Sequence, residues 1–111
     1  MSLDVWLEID AGGEDPAIIH GCDHWNYTHN VNPMWMDLFN KTLGYFLRGK
    51  RAGDTTPVLR GAYRQMSENI ERYREMNPPN GWGSADGACE ALGELVEWSI
   101  RYPNATWGVW S

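Results

Sequence analysis

Residues Leu3 to Asp10 alternate strictly, with Leu3, Val5, Leu7 and Ile9 on one side and Asp4, Trp6, Glu8 and Asp10 on the other. A period of two with one wet side predicts a half-buried β-strand. Ala11–Pro16 carries two glycines and a proline, which is turn chemistry. Ala17–His20 then predicts a short returning strand and hence a hairpin. From Gly21 to Val31 the expectation is irregular backbone. Asn32-Pro33 opens a helix, because the asparagine can cap and the proline lacks an N–H that would be unpaired there anyway. Trp35, Leu38, Phe39, Leu43, Phe46 and Leu47 fall at helical spacing, which predicts one helix to about Arg48, stopped at Gly49.

Thr56-Pro57 repeats that start. Leu59, Ala62, Tyr63, Met66, Ile70 and Tyr73 predict a second helix to about Met76, closed by Asn77-Pro78-Pro79. Arg64 with Glu68, and Glu68 with Arg72, are spaced for ion pairs on its outer face. After the tight loop Asn80–Gly83, Ser84 caps a third helix. Ala88, Leu92, Leu95, Val96 and Trp98 or Ser99 face inward along it, and Pro103 ends it. Ala105–Trp110 alternates again and predicts a closing strand beside the first. The sum is an α+β fold, residues 1–111 as a single domain, with three helices packed on one face of a small antiparallel sheet in the order β-β-α-α-α-β.

Composition narrows the function. Fifteen acids against nine bases give a net charge of −6, which disfavours nucleic acid because phosphate neutralisation needs a clustered basic patch. Seven Trp and five Tyr against two Phe favour large rings with a polar edge, used where one side stays wet. Cys22 and Cys89 make no disulfide framework. No signal peptide or membrane-length apolar run is visible, so a soluble cytoplasmic protein is the expectation. On that reading the Asn-X-Thr triplets at Asn26, Asn40 and Asn104 are chance matches.

Candidate chemistry concentrates between His20 and Asp37, which holds all three histidines. His20, Cys22, His24 and His29 are suitable zinc donors, and in an extended segment positions 20, 22 and 24 point one way. The H-x-C-x-H spacing is nevertheless tighter than the usual ligand pairs, and a metal is the weaker alternative. Cys22 with His24 or His20 as base could make a nucleophile, but no oxyanion signature accompanies it. Gly81–Ser84 ahead of a helix is a weak anion site without a phosphate-loop motif, and no cofactor is implied. The remaining candidate is a binding surface: Asn26, Tyr27, Thr28, His29 and Asn30 offer amide, hydroxyl and imidazole groups that recognise without reacting.

Asn26–Asn30, Met34 or Met36, and the run Met76–Gly83 carry a likeness beyond their composition. They resemble small uncharacterised proteins of actinobacterial phages and their relatives, which share an N-x-T-x-N segment and an N-P-x-N-G-W-G loop, each ahead of a helix. The resemblance spans most of the chain and implies that the two loops belong together. Gly21–His24 lies outside it. If the two helix starts share one side of the sheet, Tyr27, His29 and Asn30 face Trp82 across a shallow cleft, with Asn80 beside them. The leading expectation is therefore a non-catalytic module for a small polar ligand or a protein partner. The alternative is a small metal-dependent or Cys/His hydrolase using His29 with Asp23 or Cys22. The chain would act as a monomer, or as a homodimer through the Trp6 or Trp110 strand face.

Overall fold

The computed structural model describes residues 1–111. Strand β1, Ser2–Ile9, is the centre of a four-stranded antiparallel sheet. β4, Thr106–Trp110, pairs along one side of it, with Val5 opposite Val109 and Leu7 opposite Trp107. The other side is shared. β2, Ala17–Ile18, meets Glu8 and Ile9, while β3, Trp25–Thr28, meets Ser2 to Val5. The predicted hairpin is present but brief, since β2 keeps only two of its four expected residues.

β3 lies where irregular backbone was expected. Trp25 and Tyr27 alternate with Asn26 and Thr28, and aromatic and β-branched residues suit a pleated surface. Trp25 is buried, and its indole N–H donates to the Ala91 carbonyl at 2.8 Å.

The α+β class stands as expected, with helices over a small antiparallel sheet, but five helices replace three. The first predicted helix divides into α1, Asn32–Phe39, and α2, Leu43–Leu47. Asn40 adopts a left-handed conformation at φ 59°, and Thr42 then caps the new start. The apolar stripe continues across the break, because Trp35, Phe39, Leu43, Phe46 and Leu47 are all buried. The second divides into α3, Ala52–Glu68, and α4, Ile70–Arg74, at Asn69, whose side-chain amide donates to the Gln65 carbonyl.

α3 also begins four residues before the expected Thr56 cap and carries Pro57 inside it. Its first turn is held by the chain beyond the third predicted helix: Ala52 N–H donates to Ala105 O at 2.7 Å and Gly53 N–H to Pro103 O at 2.8 Å. Backbone carbonyls thus replace the side-chain cap. α5, Ala85–Arg101, matches its prediction, capped by Ser84 accepting from Gly87 N–H at 3.0 Å.

The core joins Leu3, Val5 and Leu7 of β1 to Trp107 of β4, Trp35 of α1, Leu59 of α3 and Leu92 of α5. The expected pairing of Glu68 with Arg64 and Arg72 does not form. Arg72 reaches Asp37 of α1 instead, at 2.5 Å, and the buried Tyr73 hydroxyl donates to the other Asp37 oxygen at 2.7 Å. Burial, then the hydrogen bond to Asp37, pushes the Tyr73 phenol above its ordinary pKa.

Candidate functional site

The two motif loops do meet, through Tyr27 and Asn30. The Tyr27 hydroxyl accepts from Ser84 N–H at 3.1 Å and donates to Ser84 O at 3.3 Å. Asn30 donates its side-chain amide to Trp82 O at 3.3 Å, and Thr28 accepts from Asn30 N–H. Asn80 accepts from Trp82 N–H at 3.0 Å, and Asn77 accepts from Ala85 N–H at 2.8 Å. Tyr27 and Asn30 thereby join the first motif loop to the segment ahead of α5, while Thr28 and Asn80 bond within their own loops. The Trp82 indole is left 73% exposed, so it projects from the loop and does not plug the core.

His29 is half-buried beside the start of α2. It lines a hollow of about 130 Å³ with Leu3, Asn32, Thr42, Tyr45 and Ser111, and Trp82 is not among its walls. The hollow that His29 lines is therefore not one it shares with the Trp82 indole. His29 begins a short 3₁₀ turn, His29–Val31.

The tight cluster of donor types at His20–His29 does not converge. No three side chains of the His, Cys, Asp or Glu types are placed to hold one metal ion, which counts against the His20, Cys22, His24, His29 ligand set. Cys22 is buried at 1% exposure while His20 and His24 stand in solvent. Burial pushes the Cys22 thiol above its usual pKa, the wrong direction for a nucleophile. Cys89 is raised by burial as well, and then by the nearby Asp86 charge.

What the loop-centred reading missed is the outer face of the sheet. β1 directs Ser2, Asp4, Trp6 and Glu8 away from the core, and the register sets each beside a partner. Asn26 on β3 lies opposite Asp4 and donates to its Oδ1 at 2.8 Å and to Ser2 Oγ at 3.0 Å. Trp110 on β4 lies opposite Asp4 from the other side and is 73% exposed. Trp6 lies over Gly108, where a Cβ would stand 2.1 Å from the indole, and its N–H donates to Glu8 Oε2 at 2.9 Å. Ile18, exposed, lies opposite Glu8.

Asp4 is therefore held between Asn26 on β3 and Trp110 on β4, and Trp6 separates it from Glu8 along β1. Internal donors engage Asp4 Oδ1 and Glu8 Oε2, and the second oxygen of each receives no donor within the chain. The first forty residues, which supply β1, β2 and β3, are one-sided in charge, and across the sheet from them Arg51 is bridged to Thr106, on the far side of β4 from Glu8. Residues 1–40 contain Asp4, Glu8, Asp10, Glu14, Asp15, Asp23 and Asp37 and not a single Lys or Arg. A count of charge along the first forty residues, combined with the outward positions of β1, would have found the face from sequence.

No helix is long and apolar enough to cross a membrane. No family model matches the chain, and neither the curated proteins nor the solved structures contain a significant match to it.

Proposed function

We propose that this chain is a non-catalytic recognition module whose outer sheet face takes a basic protein surface rich in arginine. The observation that carries the reading is the outward row Asn26, Asp4 and Trp110, with Trp6 and then Glu8 next along β1, on strands β1 and β3 drawn from forty residues without a positive side chain. A guanidinium stacks on an indole and bonds a carboxylate with its edge, so the two residue types on this face suit the same guest. The held carboxylates support recognition further, because their geometry is set before a partner arrives. Asn26 belongs to this surface, and Trp82 supplies a separate exposed ring beyond the end of β3. The likeness of the two loop motifs to small phage proteins fits a partner that belongs to the host.

The test is isothermal titration of the full chain with a hexa-arginine peptide, with hexa-lysine as control. The expected result is tighter binding of arginine than lysine, weakening as salt rises. Asp4→Asn and Trp110→Ala should each lower affinity about tenfold, the scale of one cation–π or charge-assisted contact. Equal binding by both variants, or no preference for arginine, would overturn the proposal.

A further inference from the structure

α3 and α5 lie antiparallel, as fixed by the 2.8 Å bond from Thr56 to Ser99 near one end and by Tyr63 against Gly93 further along. Between them runs an open groove on the side away from the sheet. Its wall on α5 carries Glu90, Glu94 and Glu97, around a hollow of about 500 Å³. Its wall on α3 carries Arg60 and Arg64, around an adjoining hollow of about 380 Å³. Tyr63 and Val96 line both hollows, and Tyr63 is 39% exposed. Gly93 makes room for this ring, since a Cβ there would stand 2.9 Å from it.

The two rows are close to one another along the chain fold, yet they do not pair. Arg60, Arg64, Glu90 and Glu94 have no ion-pair partner within the chain, and Glu97 meets only Arg101, at 3.5 Å. A row of unpaired cations thus runs beside a row of unpaired anions, with an aromatic ring on the line between them. That arrangement is self-complementary under one particular symmetry. A two-fold axis along the groove lays α3 of one copy over α5 of the other and preserves height along the helices. Because Arg60 lines its hollow with Val96, and Tyr63 lies against Gly93, this operation brings Arg60 towards Glu97 and Arg64 towards Glu90 and Glu94 of the second copy. The two Tyr63 rings meet on the axis, where aromatic pairs add to packing. A two-fold axis across the groove would instead set arginine against arginine.

From this geometry we infer that the α3–α5 groove is the contact between two copies of the chain, joined about an axis parallel to the helices. The surface is distinct from the outer sheet face, so the dimer presents two such faces.

Sedimentation equilibrium on the full chain tests it. The expected result is a species of twice 12.7 kDa that dissociates as salt is raised. Arg64→Glu and Glu94→Arg should each weaken the dimer by about tenfold or more, because each reversal acts at two symmetric contacts. The two substitutions together should restore it, since the exchanged charges still face each other. Circular dichroism of each variant should match the parent chain, since both positions are exposed. A monomer at all concentrations would overturn the inference. So would a dimer indifferent to both single reversals, or a double variant no better than either single one.

Discussion

On β1, Leu3, Val5 and Leu7 are sealed in the core, while Asp4, Trp6 and Glu8, each one residue along, remain within reach of water. The same alternation continues across the sheet. Trp107 and Val109 of β4 are buried, and Trp110 is exposed. Backbone pairing is shared by both sides, so the difference lies in side-chain partners alone. The inner side is close-packed and fixes the fold by excluding water. The outer side carries groups that hydrogen-bond one another and leave capacity over. One strand therefore holds the structure together and offers a surface, without either role compromising the other.

Substitutions on the two sides should separate these roles. Leu7 is fully buried, and Leu7→Ala should cost about 2–5 kcal/mol through lost burial and a residual cavity. Thermal denaturation would show this as a fall in Tm of roughly 10 °C or more. A smaller effect lies at Gly108, where a methyl group would enter the space of the Trp6 indole. Gly108→Ala should cost about 1–3 kcal/mol by forcing the ring to move. It should also shift tryptophan emission to the red as the Trp6 to Glu8 bond breaks. Unchanged emission and unchanged stability would mean that the outer face is not anchored through Trp6. Smallest of all, Trp110→Ala should alter unfolding free energy by under about 0.5 kcal/mol in urea, since little of the ring is covered. A large loss there would erase the distinction between the two sides.

The sequence reveals the inner side more readily than the outer. Leu3 to Asp10, Ala105 to Trp110 and the Ser84 cap of α5 are legible because period and capping chemistry agree with the fold. Asn40 is a polar residue that fits a helix surface and a left-handed stop equally well, and the apolar stripe runs through it, so the break there is hidden. The early start of α3 is hidden for another reason. Its first N–H groups are satisfied by carbonyls of Pro103 and Ala105, fifty residues away and invisible to any local rule.

The candidate site shows the same limit. Asn26–Asn30 and Asn80–Trp82 stand out as unusual strings, and they do come together, but Tyr27 and Asn30 are bonded to the opposite loop. Distinctiveness in sequence marked a joint between segments as clearly as it could have marked a pocket. Cys22 and the histidines stood out by residue type, and the chain turns the thiol inward while leaving His20 and His24 in solvent.

The joint itself restricts how this chain can vary. At position 87 a methyl group would stand 2.3 Å from the Tyr27 hydroxyl oxygen, which is also bonded to Ser84. A side chain at 87 therefore requires the Tyr27 hydroxyl end to move off Ser84, or a smaller residue at 27, which ties together two sites sixty residues apart. A change at either alone would loosen this joint, leaving the buried Trp25 bond to Ala91 to hold the third strand to the last helix.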